Sequence, residues 1–439
     1  MLNRCSNRQS GKYLTRTSKV YSTSVIVLSL SSLVENLAYM LSASYFPYYA
    51  ISLGAPAAYV GFFAAAFLVT TALLSSRFGS LSDRIGRKKL IQAGLVADAF
   101  LGTMTGLIQQ WVFLLVIRAL NGVATAAVSP AAEASLIDQV PKEKKGEALG
   151  FFLTLSMIGW FLGPLFGGTI QFLAERGLGL GLEDSYRVPY FVDSLLSIIA
   201  LVLVAWRVEE TRGSGVQPVK VVPDDVKPGG SLLKALRALY VTSLTNGFAI
   251  GFIIPVGVFF FKDMFQAVAL QIGLILSISG LVGIGCNYIA GKMADRIGRK
   301  PLIALGNVSS RLSSIALPFT SNLFHATGLM VFRSLGINIA MPATRALRAD
   351  LVPAKVRGKL FGRLQAFFYG GMIGGTILGP WIYDLYKDEV FRVTWPVNFN
   401  VRGLGLPFFI SGILGLAALA LLLIFVKEPS RQTETQNRR

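Results

Sequence analysis

Apolar blocks of about 20 to 29 residues recur along the whole chain, and a block of that length suits one structure. It is a helix rising 1.5 Å per residue through a hydrocarbon layer of about 30 Å. The blocks fall near 20-48, 56-78, 88-109, 111-138, 146-174 and 187-207, then 233-261, 267-290, 300-320, 323-350, 358-386 and 404-427. In lipid every backbone N–H and C=O must be satisfied inside the protein, so these twelve blocks predict an all-α membrane protein with twelve crossings. A soluble chain of 439 residues could not hide this much apolar surface: 53% of residues are hydrophobic, 15% are charged, and the mean hydropathy is +0.57.

The net charge of +19 would suit nucleic acid if the 42 Lys and Arg residues gathered on one face or tail. Instead they alternate from loop to loop. Arg118, Arg311 and Arg333 lie within blocks, and Arg176, Arg187, Lys262, Lys387, Arg392 and Arg402 lie on one side of the predicted membrane. The rest lie on the other side, with the amino terminus. The positive-inside rule then places both termini in the cytoplasm, and a basic surface facing anionic lipid accounts for the charge without nucleic acid. Cys5 and Cys286 cannot form a disulfide framework, and the single histidine, His325, speaks against an imidazole relay or a clustered histidine metal site. Residues 1-19 are basic like a targeting peptide. The block that follows is too long for a signal sequence and carries Glu35, so the segment reads as a retained cytoplasmic tail.

The chain repeats itself. Gly79-Ser80-Leu81-Ser82-Asp83-Arg84-Ile85-Gly86-Arg87-Lys88 returns as Gly291-Lys292-Met293-Ala294-Asp295-Arg296-Ile297-Gly298-Arg299-Lys300. In the same register Pro130 matches Pro342, Asp138 matches Asp350, Pro141 matches Pro353, and Gly146 matches Gly358. Such a repeat predicts two six-helix bundles with a solute site between them. The polar run from Glu209 to Gly230 divides them. The expected organisation is a tail 1-19, a first bundle 20-211, a cytoplasmic linker 212-231, a second bundle 232-428 and a tail 429-439.

The two Gly-x-x-x-Asp-Arg-x-Gly-Arg-Lys loops resemble the signature loop of the major facilitator superfamily, and the resemblance covers nearly the whole chain. It implies the twelve-span fold of that family and a conformational gate at the cytoplasmic side. The gate would comprise Gly79, Asp83, Arg84, Gly86, Arg87 and Asp138, with Gly291, Asp295, Arg296, Gly298, Arg299 and Asp350 in the second copy. Glycines would permit the turn, Asp83 would meet the positive end of a helix in the opposite bundle, and Arg87 and Arg299 would pair with Asp138 and Asp350. Lys88, Lys89 and Lys300 read as charges that obey only the positive-inside rule. The fifth block holds Gly159, Gly163, Pro164, Gly167 and Gly168, similar to a motif of proton-coupled exporters in the superfamily; Gly379 and Pro380 end a weaker copy in the eleventh. Small residues let helices approach closely and proline breaks one backbone bond, so these segments are expected to serve as a packing seam, a hinge, or both.

Charges inside the membrane are costly and mark function. Arg118, in Arg118-Ala119-Leu120-Asn121-Gly122, resembles the buried arginine of proton-coupled members, with Asn121 where the family usually has glutamine. Counted along the helices, Arg118 lies roughly 12 Å and Glu35 roughly 18 Å below the outer surface, a separation their side chains can bridge. A carboxylate beside a buried arginine stays ionised, whereas one left alone in an apolar setting takes up a proton. Glu35 is therefore the expected proton carrier and Asp98 the reserve. Either could instead be a permanently paired structural charge. The helical stripes through Tyr39, Phe46, Asn246 and Phe252 mark the expected substrate cavity, and a carboxylate among aromatic rings would suit an amphipathic or cationic solute.

These readings point to a secondary transporter working by alternating access, resembling the twelve-span drug/proton antiporters. A proton-coupled exporter of small organic solutes leads, and a nutrient uptake symporter is the alternative. No phosphate-binding loop supports a nucleotide-driven pump. A membrane-embedded enzyme would need a catalytic cluster that the sequence does not supply. The expected partners are a small solute, protons and the bilayer, with no cofactor; the family resemblance implies a monomer in the cell membrane.

Overall fold

The computed structural model describes residues 22–141, 144–211, 230–351, 354–393 and 399–426. The two expected tails and nearly all of the linker 212-231 lie outside these residues, as do the side chains of Asp295, Arg296 and Asp350. The first half comprises α1 (Thr23–Met40), α2 (Phe46–Ser52), α3 (Val60–Ile85), α4 (Arg87–Leu107), α5 (Trp111–Asp138), α6 (Lys145–Arg176), α7 (Leu182–Ser185) and α8 (Val188–Arg207). The second comprises α9 (Gly230–Phe265), α10 (Ala269–Ile297), α11 (Arg299–Ala316), α12 (Leu323–Asp350), α13 (Ala354–Tyr386) and α14 (Leu406–Phe425).

Among the described residues, eleven helices are long and apolar enough to cross a bilayer. The twelfth long helix is α13, which lies along α9; its glycines, with Pro380 and Trp381, dilute its hydropathy. One block is not a single helix. The run expected to cross at 20-48 stops at Met40, tightens into a 3-10 turn at Leu41–Ser44 and resumes as α2, with Pro47 in its first turn where no N–H is needed. An antiparallel hairpin follows α13, with β1 (Val390–Val393) paired to β2 (Phe399–Arg402) so that Val390 faces Arg402.

Ser22 caps α1 by accepting the Val25 N–H, and Asn322 caps α12 by accepting the His325 N–H. The repeated motif forms the turns between α3 and α4 and between α10 and α11. Each turn is a single glycine, Gly86 at φ 109° and Gly298 at φ 106°, a region that disfavours a Cβ. Gly79 was expected at the turn but sits within α3, with open space where a Cβ would be.

Small residues set the packing within each half. A Cβ on Gly159, Gly163 or Gly167 would run into the α1 and 3-10 backbone at Leu33, Leu37 and Leu41, so α6 and the first span lie backbone to backbone. The second half repeats this, with Gly371, Gly375 and Gly379 against Leu244, Phe248 and Phe252 of α9. Gly167→Leu should destabilise the protein by about 3 kcal/mol, because nothing flexible can yield. Thermal unfolding in detergent measures this, with Gly146→Ala, at an open position, as the control. A midpoint for Gly167→Leu equal to that of the control would refute the seam.

The two ends of the molecule differ. At the end away from the termini one apolar core mixes both halves, joining Tyr45, Tyr49 and Phe63 to Val256, Phe259, Phe260, Tyr383 and Phe408. At the end that carries the termini there are two cores. One, with Val25, Leu90, Leu136 and Val204, belongs to the first half; the other, with Leu239, Leu302, Leu347 and Leu422, belongs to the second.

The close approaches across the halves lie towards the shared core. Gly61 meets Thr376, Gly168 meets Ala269, and Gly273 meets Pro164. The Pro164 ring interrupts the backbone ladder of α6, and beside it the Leu165 N–H donates to Ser277 Oγ of α10 at 3.2 Å.

Candidate functional site

Beneath the shared core lies a cavity of about 360 Å³, within the size range of small-molecule sites. Both halves line it: Tyr39, Ser42, Phe46, Phe63, Phe67, Arg118, Trp160, Phe161 and Pro164 from the first, Ile253, Pro255, Gly257, Phe261, Met330, Arg333 and Phe408 from the second. The walls are thus mostly rings and aliphatic chains. The break at Leu41–Ser44 turns Ser42 and Phe46 inward beside Arg118 of α5. The guanidinium lies 4.0 Å over the Phe46 ring and donates to Ser42 Oγ at 3.4 Å.

Two residues expected in the cavity lie elsewhere. Asn246 accepts a 2.7 Å hydrogen bond from Arg311, a buried guanidinium of α11, and Phe252 is buried against Gly379 of α13. Arg333, which the sequence places within an apolar block, lines the cavity and donates to Ser314 Oγ at 3.0 Å. The internal repeat slips at Arg333: the register that matches Asp138 to Asp350 puts Met330, not Arg333, opposite Arg118.

Nor does an ion pair join Glu35 to Arg118 among the described residues. Arg118 sits level with Ser42 and Phe46, whereas Glu35 lies seven residues before Ser42, about 10 Å nearer the termini. Glu35 is one turn from Tyr39 and half-buried. The carboxylate of Asp98 lies within the first bundle and is held by neutral donors, Ser197 Oγ at 2.7 Å and Asn121 Nδ2 at 3.4 Å. Asp193 of α8 stands close by, next to Gly102 of α4, and one of its carboxylate oxygens is buried without a hydrogen-bond partner. Among the described residues the cavity lining contains no carboxylate, so the carboxylate that would have suited a cation is not at its wall.

At the terminal end Arg87 is buried and forms an ion pair with Asp138 at 2.6 Å and with Asp83 at 3.1 Å. Asp83 thus touches its own half, and its side chain remains more than half exposed. The acidic partner at the start of α4 is one the sequence reading did not single out. Glu210, just after the sixth long helix, accepts the Lys88 N–H at 3.0 Å, and the Thr211 carbonyl accepts the Arg87 N–H at 3.2 Å. Lys88 and Lys300 do more than face water: Lys88 Nζ donates to Ala205 O at 2.8 Å and Lys300 Nζ to Leu423 O at 2.9 Å. Each lysine thereby caps the last turn of the final helix of its own bundle.

At the other end the halves are fastened together. Asp263 of α9 accepts from Tyr48 of α2 at 2.8 Å and from Tyr383 of α13 at 2.5 Å. Phe259 stacks on Tyr383 and meets Tyr48 edge-on, and Lys262 lies 3.6 Å over the Tyr48 ring. The local sequence around these residues gives no sign of the cluster, because its partners are far apart along the chain.

The sequence model described as the Major Facilitator Superfamily matches residues 28–267 and 239–439. The multi-drug resistance efflux pump PmrA of Streptococcus pneumoniae is 29% identical over 352 residues, spanning 77% of this chain and 84% of PmrA. The multidrug resistance protein MdtG of Enterobacter lignolyticus is 27% identical over 356 residues, 79% and 82% of the two chains. Among solved structures, a bacterial homolog of the human lysosomal transporter Spinster superposes with a TM-score of 0.72 at 14% identity, covering 92% of this chain and 96% of the other. The xylose transporter XylE of E. coli does so with a TM-score of 0.67 at 16% identity, covering 93% and 96%. Repeated bundles, matching motif turns and a cavity shared between the halves agree with these likenesses: the chain belongs to the major facilitator superfamily of membrane transporters.

Proposed function

We propose that this transporter is a proton-coupled exporter of small organic solutes, acting as a monomer in the cell membrane with both termini in the cytoplasm. The observation that carries the reading is the asymmetry of the two ends around a cavity shared by both halves: one mixed core on the far side, two separate cores on the side of the termini. With the basic loops facing the cytoplasm, this is an inward-open state. In the alternate state the far seal opens, the two terminal cores close on each other, and Asp83 is freed to meet the opposite bundle.

Export is favoured over uptake by the names of the relatives from Streptococcus pneumoniae and Enterobacter lignolyticus, a multi-drug resistance efflux pump and a multidrug resistance protein. Proton coupling is favoured by membrane carboxylates that form no ion pair among the described residues, Glu35 and Asp98. The test is reconstitution in liposomes with an imposed pH gradient and a panel of fluorescent cations, anions and sugars. Gradient-driven movement of at least one organic solute is expected. Movement indifferent to the gradient would refute coupling.

Orientation has its own test. Cysteines placed in 176-186 or 388-402 should react with an impermeant thiol reagent added to intact cells, and those in 213-230 should not. Labelling of the central segment from outside would reverse the proposed topology.

A further inference from the structure

The charges at the cavity wall are of one sign. Arg118 and Arg333 approach from opposite halves, and among the described residues neither is paired with a carboxylate. Each gives one N–H to a serine hydroxyl, Ser42 and Ser314, which neutralises nothing. Behind Arg333 in its own bundle, Arg311 is buried with Nε and Nη1 lacking any hydrogen-bond partner, so a third guanidinium adds to the local positive field.

The carboxylates that could offset this are committed elsewhere. Asp98, held by Ser197 and Asn121, and Asp193, beside Gly102, lie inside the first bundle and reach Arg118 only through space, without an ion pair; Asp263 takes two tyrosine hydroxyls in the far seal. A cationic solute entering here would bring like charge into an apolar space, where repulsion is poorly screened. An anion would give both guanidiniums a directly bonded counter-charge, in the planar fork geometry that suits an acidic group.

We propose that the cavity binds an amphipathic organic anion, its acidic group held by Arg118 and Arg333 and its apolar body by rings such as Phe46, Phe63, Trp160 and Phe261. This rests on the cavity being the solute site.

The test uses the full-length protein in a neutral detergent and three probes with one fluorescent body: dansylglycine, its neutral amide, and dansyl ethylenediamine as the cation. Dansylglycine should bind about tenfold more tightly than the amide, and the cation more weakly than either. Arg333→Gln and Arg118→Gln should each weaken dansylglycine about tenfold and leave the amide within about twofold, while Arg333→Lys should restore part of the loss. If Arg118→Gln is not monodisperse on gel filtration, Arg333→Gln decides alone.

Equal affinity for acid and amide, or tightest binding of the cation, would overturn the anion proposal while leaving the cavity as a solute site. An unchanged acid preference in Arg333→Gln would overturn it too. No saturable binding of any probe to monodisperse protein would remove the solute-site reading and the anion proposal together.

Discussion

Glu35→Gln should abolish solute movement driven by a pH gradient in liposomes while sparing solute exchange without a gradient. Proton transfer through a positioned side chain is worth ~100-fold or more, and uphill transport should fall by that much. The argument rests on place. Glu35 is half-buried on α1, one turn from the cavity residue Tyr39, and no ion pair ties it to Arg118 among the described residues. Glutamine keeps the size and hydrogen-bonding capacity of the side chain and removes only its proton exchange. Asp98→Asn is the companion. If Glu35→Gln keeps full uphill transport with the parent's pH dependence and Asp98→Asn does not, the proton travels within the first bundle, through the site where Ser197 and Asn121 hold Asp98.

Tyr48→Phe should open the far side. It removes the bond that Asp263 accepts across the halves, while Tyr383→Phe removes the bond within the second half. A hydrogen bond to a charged group contributes about 1.5 to 3 kcal/mol, so losing the crossing bond should shift the balance of states about tenfold or more towards outward-open. The reporter is a cysteine at Ala64, a lining residue, labelled by an impermeant maleimide applied to intact cells. Labelling should quicken about tenfold in Tyr48→Phe and much less in Tyr383→Phe. Equal rates in the parent and Tyr48→Phe would show that the aromatic packing, not the hydrogen bond, holds this end shut.

What could be read from the sequence was whatever repeats or recurs with a fixed period. Apolar blocks mark the helices because lipid demands a minimum length, and the duplicated Asp-Arg-x-Gly-Arg-Lys loop marks two bundles and the glycine at each turn. Arg87 and Asp138 could be placed at the same end of neighbouring helices by counting, and they lie 2.6 Å apart. Counting failed where a helix departs from a straight rod. The break at Leu41–Ser44 carries Ser42 and Phe46 to Arg118 and leaves Glu35 two turns away. It also failed where one face of a helix is contested, since Asn246 shares a stripe with the lining residues Ile253 and Gly257 yet goes to Arg311. The pairing of Tyr48 with Asp263 spans 215 residues and both halves, a contact with no local signature.

The seam between α6 and α10 gives the molecule a lever. Phe161 against Gly280, Leu165 N–H against Ser277 and Gly168 against Ala269 make a compact fulcrum, and from Gly280 to Ile297 α10 runs on towards the termini for roughly 25 Å. A tilt of roughly 10° about that fulcrum carries the far end of such an arm through roughly 4 Å, which the opposing half can double by tilting the other way. The fulcrum itself need slide by no more than a fraction of a side chain. Hence a doorway several ångströms wide can swing at one face of the membrane while Ser277 keeps hold of the backbone beside Pro164.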